Sequence, residues 1–289
     1  MCHCENNLKK DVKDDLREGF THGGVFHADD VFATALLKIL NPDIKILRGF
    51  SVPEGFMGIV YDIGGGKYDH HQRGSRVREN GIPYAAFGLL WERFGQELLY
   101  EDDAEQFDES FVQPIDQSDN TGEYNAFSLA ISDKIPTWQE ESRPLDEAFR
   151  EAVDFAKGIL ECRFRQIKAD RDAYEIVYQK ADQSEDGILY LERMVPWKDA
   201  LREHSKDIFF VIYPSIRGGY NIQAVPDRED KNALRRPFPQ GWRGASPQEL
   251  QAMTKIPDLT FCHLSGFLCA SDTLEGAFCT ARLAMQMND

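Results

Sequence analysis

Apolar residues recur at helical spacing across residues 31–40, at Val31, Ala35, Leu36 and Ile39, and Asn41-Pro42 stops the run. That spacing predicts a helix. Residues 44–47 predict a short strand, and residues 58–63 (GIVYDI) predict a buried strand closing on three glycines at 64–66. Residues 84–99 predict a second amphipathic helix, and 107–115 a third. Residues 144–180 carry many charges and little Gly or Pro, which predicts one long connecting helix. Short strand-like runs then follow at 188–191, 209–213 and 220–225, separated by Gly, Pro and Asn, before a last helix over 273–287. The polar stretch KADQSEDG at 180–187 marks a change of texture and a domain boundary. Helices alternating with buried strands predict an α/β fold, divided into 18–143, a connecting helix over 144–183, and a smaller C-terminal domain over 184–289.

Composition narrows this picture. The chain has 289 residues, 42% of them hydrophobic and 28% charged, which excludes a largely disordered protein. No stretch approaches the roughly 20 apolar residues of a membrane span, so no membrane partner is expected. The opening MCHCENNLKKDVKDDL has no apolar signal core, so export is not expected, and residues 1–17 read as a loose leader or a capping helix. Six cysteines in a chain of this length read as reduced thiols, which points to the cytoplasm. The 33 Lys plus Arg stand against 49 Asp plus Glu, a formal net charge of -16. Such a chain repels long nucleic acid unless positive charge gathers locally or metal ions intervene.

The chemistry gathers in the first 120 residues. Four segments each end a predicted strand or open a predicted helix: His22-Gly-Gly-Val-Phe-His27-Ala-Asp29-Asp30, Tyr61-Asp62, Asp69-His70-His71 and Asp116-Gln-Ser-Asp119-Asn120. Strand ends of an open α/β sheet converge on one crevice, so four such termini can meet. Two divalent ions held about 3.5–4 Å apart need a bridging carboxylate ringed by further Asp and His ligands. Mixed imidazole and carboxylate ligands favour manganese, zinc, iron or cobalt over calcium. Taken singly, each residue has a plainer reading: Asp29-Asp30 is an ordinary helix start, and a strand-end Asp forms turns. His70 and His71 are neighbours, and alternation along a strand would point only one of them into the site.

The Asp69-His70-His71 triplet, with HxD in FHADD upstream and Asp62 at a strand end, resembles the DHH phosphoesterase superfamily. In order along the chain, THGGVFHADDVFATALL, VYDIGGGKYDHHQRG, GIPYAAFGLLWERFG, IDQSDN, VIYPSIRGGYNIQAVP, LRRPFPQGWRG and FCHLSGFLCA resemble the melanocyte-proliferating-gene exonuclease family. The likeness covers roughly residues 20–287. It implies a DHH-like, largely parallel sheet flanked by helices, a helical connector and a smaller α/β domain closing over the cleft. The activity it implies is 3′–5′ exonucleolytic hydrolysis of RNA or short oligonucleotides, with two divalent metal ions, manganese first and magnesium, cobalt or zinc as alternatives. Residue by residue it implies metal ligation by His22, His27, Asp29, Asp62, His70 and Asp119, with Asp116 as rival for the last position. His71, Asp62 and Asp30 are the expected catalytic residues, His71 facing substrate and Asp62 bridging both ions. The family commonly has HCDE where this chain has HADD, which leaves the choice between Asp29 and Asp30 open, with the HxD spacing favouring Asp29.

Substrate contacts are expected from Arg73, Arg235, Arg236, Arg243 and His263. The three later arginines sit in LRRPFPQGWRG with Trp242, where guanidinium forks suit phosphate and an aromatic can stack on a base. The plainer reading pairs Arg235 and Arg236 with Asp227, Glu229 and Asp230. Arg163, Arg165, Lys168 and Arg171 alternate with acids and read as a solvated helix face. Cys2-His3-Cys4 lacks the second pair that a zinc site needs, and the glycine triplet lacks the GK[ST] of a phosphate loop and reads as a tight turn. Two other functions stay open: a phosphohydrolase of nucleotides, cyclic dinucleotides or polyphosphate, and a metal-binding regulatory module without turnover. Homo-oligomerisation is likewise open.

Overall fold

The computed structural model describes residues 16–287 except 141, 185 and 231. Cys2-His3-Cys4 and nearly all of the opening segment lie outside the described residues. The chain forms two compact units, 1–167 and 168–289.

The first unit holds three parallel strands, β1 (Glu18–His22), β2 (Lys45–Gly49) and β3 (Ile59–Val60), in the order β2-β1-β3. Between β1 and β2 runs α1 (Ala28–Leu40), whose capping Asn41 ends the helix before Pro42, as the spacing predicts. The third strand is shorter than expected because the chain leaves the ladder after Tyr61, whose N–H still donates to the Phe20 carbonyl at 3.0 Å and which forms an isolated bridge to Tyr68. Next come α2 (Ala86–Phe94) and a 3-10 turn at Gly95–Glu97, together filling the predicted second helix. The predicted third helix is part of a longer run: α3 (Glu101–Phe107), a π-turn at Asp108–Val112, and α4 (Gln113–Thr121). Pro114 forces the break, since its ring supplies no N–H and fits only the first turn of a new helix. α5 (Ala126–Ser132) follows, capped by Asn125. The core between these helices is aromatic, with Phe32 within 5.5 Å (ring centroids) of both Phe87 and Phe111.

The long helix α6 (Leu145–Gln183) is continuous over 39 residues. Its first part buries Ala148, Phe149, Ala152, Val153, Ala156, Leu160 and Phe164 in the first unit's core, and its last part buries Ala173, Val177 and Ala181 in a core of the second. The division of the chain falls inside this helix, between Ile167 and Lys168; the polar stretch at 180–187 is where the helix ends.

The second unit carries β4 (Ile188–Tyr190), α7 (Lys198–Glu203), β5 (Phe210–Pro214), β6 (Tyr220–Ala224), α8 (Pro247–Thr254), β7 (Leu259–Cys262), β8 (Leu268–Ser271) and α9 (Leu274–Gln286). Its sheet runs β4-β5-β6-β8-β7; only the β4–β5 pair is parallel. The fold is α/β, with the all-parallel sheet confined to the first unit.

Candidate metal centre

The C-terminal edge of the parallel sheet is where the predicted ligands meet. His22 is the last residue of β1, and Asp62 follows β3 by two positions. Asp62 has φ 55, a left-handed conformation that Asp tolerates better than most side chains. His27 caps α1, and Asp29 and Asp30 fill its first turn, both fully buried. Asp30 accepts the His27 backbone N–H at 2.9 Å.

Three overlapping groups result, each with its ligand atoms within 4.8 Å of one another: His22, Asp30 and Asp62; His27, Asp29 and Asp119; and Asp62, His70 and His71. His22 Nε2 lies 3.2 Å from Asp30 and 3.2 Å from Asp62. His70 Nε2 lies 3.1 Å from the other Asp62 oxygen, 3.4 Å from Asp119 and 3.7 Å from Asp29. Asp62 thus stands between two imidazoles, one oxygen toward each.

Hydrogen bonds fix which nitrogen each imidazole offers. His22 Nδ1 faces the Gly23 carbonyl at 3.1 Å, so Nδ1 keeps its proton and Nε2 is the nitrogen that can give its own up to a ligand. The Asn120 amide nitrogen donates to the carbonyls of Tyr84 and Asp116, which leaves its oxygen to accept from His70 Nδ1 at 3.3 Å. His70 Nε2 is therefore the nitrogen turned to the carboxylates. Buried atoms without hydrogen-bond partners include Asp29 Oδ1, Asp30 Oδ2, Asp62 Oδ1 and His70 Nε2. Buried carboxylates this close together repel, and burial makes the repulsion costly. A cation removes it, so this donor set fits divalent metal ions.

The charges respond accordingly. Burial, then the charges of Asp62, Asp119 and Asp30, hold Asp29 well above the usual carboxylate range. Burial raises Asp30 too, against the hydrogen bond from His22. For Asp62, burial is outweighed by hydrogen bonds from His22 and His70, which hold it at about 2. Hydrogen bonds to Asp30 and Asp62 raise His22 to about 10. In place of a cation, a proton takes the gap.

The two histidines of the triplet do not face opposite ways, contrary to the alternation expected of a strand. The chain is irregular after Tyr68, and the two rings lie 4.2 Å apart. His71 is exposed and its Nδ1 is held at 2.9 Å by Asp69, which also accepts the Gly65 N–H at 2.7 Å. Burial opposes ionisation of Asp69, but the N–H donors of His71 and Gly65 prevail and lower it. Gly65, at φ 67, makes the tight turn expected of the triplet. Asp30, expected to be catalytic and the less favoured of the two acids as a ligand, is fully enclosed beside His22 and Asp62. Both Asp29 and Asp30 reach the centre, because adjacent positions in a helix's first turn can each face a sheet edge. Asp116 does not: it is buried against Arg78 at 2.8 Å and accepts the Gly88 N–H at 3.0 Å.

Beside the centre opens a cleft of about 420 Å³, lined by His27, His70, His71, Asp119 and further residues of α4 and α5. Arg73 is exposed after the triplet and makes no hydrogen bond or ion pair among the described residues. In the second unit the arginines are tied to backbone. Arg235 donates to the carbonyls of Leu201 and Ile208, Arg236 to Met287, and Arg243 to Phe238. Trp242, expected to stack on a base, is instead 2% exposed in a hydrophobic core. His263 uses Nδ1 for the Ser265 hydroxyl and backbone N–H.

Three supporting residues escaped the sequence reading. Asp69 and Asn120 were quoted in their motifs without a role. Arg48 lies in a strand with no motif: it donates to the carbonyls of His22 at 3.1 Å and Gly24 at 3.0 Å, pairs with Asp146 at 2.7 Å, and its guanidinium lies 4.0 Å from the centre of the Phe149 ring.

Residues 20–285 match the model of the MYG1 exonuclease family, described as an uncharacterised protein family, UPF0160. The chain is 30% identical to the MYG1 exonuclease of Homo sapiens over 92% of its length and 85% of the relative's. To the MYG1 exonuclease of Rattus norvegicus it is 30% identical, covering 92% and 84%. A MYG1 protein of Schizosaccharomyces pombe is 28% identical, covering 92% and 96%. No solved structure is significantly similar to the chain.

Proposed function

The chain belongs to the MYG1 exonuclease family, a family of enzymes, and from that membership we propose a divalent-metal-dependent phosphodiester hydrolase, of the DHH phosphoesterase kind, that removes nucleotides 3′–5′ from RNA or short oligonucleotides. One observation carries the reading: Asp29, Asp30, Asp62 and His70 crowd buried ligand atoms into one place. His22, Asp30 and Asp62 would hold one ion, and His27, Asp29 and Asp119 the other, with Asp62 and His70 between the two groups. Bound divalent ions, manganese first, supply phosphoryl polarisation and a water acidic enough to attack at neutral pH.

The chain's own residues supply the rest. Asn120 and the Gly23 carbonyl hold His70 and His22 in the ligating tautomer. Asp69 fixes His71 with Nδ1 protonated, so that Nε2 can carry a proton to or from the leaving oxygen at the cleft. Arg73 is the first-unit cation offered to phosphate. Arg235, Arg236 and Arg243 already serve backbone carbonyls. The net charge of -16 and the small cleft favour a short substrate over a long polymer, so a small phosphoester stays the second reading. Among the described residues no helix is long and apolar enough to cross a membrane; reduced cysteines support a cytoplasmic setting.

The test is digestion of an end-labelled ribo-oligomer by purified protein with manganese, with chelator, and by Asp62→Asn. Products shortened from the 3′ end with manganese alone, and none from the variant, are expected. Digestion that survives both chelation and Asp62→Asn would overturn the reading.

A further inference from the structure

Two buried hydroxyls join the elements that carry Asp30 and Asp62. Tyr61 follows β3 and immediately precedes Asp62; Thr34 stands one turn after Asp30 on α1. Both side chains are fully enclosed. The Tyr61 hydroxyl lies 2.5 Å from Thr34 Oγ1, and Thr34 Oγ1 lies 2.7 Å from the Asp30 carbonyl. A carbonyl only accepts, so Thr34 commits its one proton there, and the Tyr61 hydroxyl must donate to Thr34. The result is a directed chain of hydrogen bonds from Tyr61 to Thr34 to the Asp30 carbonyl.

A helical threonine often bonds the carbonyl four residues back, and that bond alone ties α1 only to itself. The tyrosine extends its reach. The Tyr61 N–H donates to the Phe20 carbonyl of β1 at 3.0 Å, and the Asp62 N–H to the Tyr68 carbonyl at 2.9 Å. The main chain that carries Asp62 is therefore anchored on the sheet side, and the Tyr61 hydroxyl links that anchor to the first turn of α1. His22 Nε2 spans the same two acids, 3.2 Å from each. Two carboxylates that share one imidazole repel when both are charged. The first turn of a helix lacks part of its bonding and is where a helix gives way. A tie at the Asp30 carbonyl opposes that movement.

We propose that the Tyr61–Thr34 hydrogen bond sets the spacing between Asp30 and Asp62, which makes Tyr61 a positioning residue for the metal ions. The inference rests on the metal-centre reading and adds what keeps two like-charged ligands in place before an ion arrives. Ligands already held in the bound arrangement lose less freedom on binding, so the ion is held more tightly. Neither hydroxyl reaches solvent, so both act through Asp30 and Asp62 and not on substrate. Phenylalanine at position 61 keeps the packed ring and removes only the donor to Thr34.

The experiment is manganese titration by calorimetry, with thermal unfolding in chelator alongside, for wild type, Tyr61→Phe, Thr34→Val, the double variant and Thr34→Ser. Tyr61→Phe and Thr34→Val are each expected to weaken manganese binding about tenfold, the lower end of the usual loss for an outer partner of a ligand. The double variant should bind no more weakly than either alone, because both single changes break the same bond. Thr34→Ser keeps the hydroxyl and should bind as wild type does. A Tyr61→Phe protein that melts lower yet binds manganese as wild type does would make Tyr61 a packing residue only and overturn the inference. Losses that add in the double variant would overturn it too, while leaving the metal reading intact. Wild-type protein that binds no manganese would bring down the metal reading itself, and the inference with it. Should Tyr61→Phe not fold, Thr34→Val against Thr34→Ser tests the same bond.

Discussion

Asp116 and Asp119 stand three residues apart on α4 and serve different partners: Asp116 pairs with buried Arg78 at 2.8 Å, whereas Asp119 lies 3.4 Å from His70. Asp116 also accepts the Gly88 N–H in the first turn of α2, where a Cβ on Gly88 would sit 1.8 Å from its carboxylate. One acid holds the scaffold and the other faces the cleft. Asp119→Asn is expected to fold with wild-type thermal stability and to weaken manganese binding a hundredfold or so. Asp116→Ala should lose about 1–3 kcal/mol of stability, because it leaves the buried Gly88 N–H unpaired and takes from Arg78 one of its two acids. Urea unfolding and metal titration of both variants separate the roles; a stable Asp116→Ala protein with impaired metal binding would reverse them.

The same pair predicts a pH dependence. Burial pushes Asp116 up to about 7 despite Arg78, whose guanidinium is shared with Asp108 at 3.0 Å. Unfolded, the group titrates near 3.9. The folded state therefore binds the proton more tightly. The stability from that proton is fully present below about pH 4 and is lost as pH rises through 7. Asp116→Asn has no such proton to lose. The melting temperature of wild type minus that of Asp116→Asn should fall between pH 4 and 8, and a flat difference would contradict the assignment.

Metal binding should release protons. His22 is raised to about 10, so at pH 7–9 its Nε2 must shed a proton before it can ligate. Burial keeps Asp29 and Asp30 protonated more readily than usual, which adds to the release. Manganese affinity is expected to rise with pH across this range, by up to about tenfold per unit for each proton displaced. Calorimetry in two buffers of different ionisation enthalpy counts the protons directly; a count of zero would place the ion elsewhere. Asp62→Asn is the fitting control, since Asn tolerates the left-handed φ of 55 at this position and Ala does not.

His71 should behave differently from its neighbour. Its ring is exposed and oriented by Asp69, whereas His70 is enclosed by carboxylates. His71→Ala is expected to lower turnover about 10²–10⁴-fold, the range of a lost acid or base, with both ions still bound. His70→Ala should lose metal. Elemental analysis beside kinetics tests the split, and loss of both ions from His71→Ala would exchange the roles.

Much of the clustering was legible in the sequence because the proposed ligands sit where short-range rules apply. A helix start, a strand end and an irregular triplet each expose their side chains, and His22, His27, Asp29, Asp62, His70 and Asp119 are all found in the three groups. The errors came from assuming regular structure: alternation was applied to His70-His71 beyond the last bridge of the ladder at Tyr68. Trp242 was read from its neighbours in sequence, but its burial depends on Phe238 and Leu250, which pattern alone does not bring to it. Arg48 carried no local signal, being defined by partners far away in the chain.

Arg48 is the most informative of these. It reaches from β2 to two carbonyls of the loop that carries His22 and is clamped between Asp146 and the Phe149 ring. Three directional donors and a flat face are needed at once, and a lysine has one point charge and no plane. Arg48→Lys should leave every proposed ligand in place but loosen the His22 loop. We expect manganese affinity to fall about 10–100-fold, the usual cost of losing an outer partner of a ligand, with stability reduced by about 1–3 kcal/mol for the carbonyls left unpaired. Metal titration of Arg48→Lys at several pH values checks this. The proton release assigned to His22 should shrink with the affinity, because a mobile imidazole no longer sits between Asp30 and Asp62. Unchanged affinity and unchanged proton release would make Arg48 a scaffold residue only.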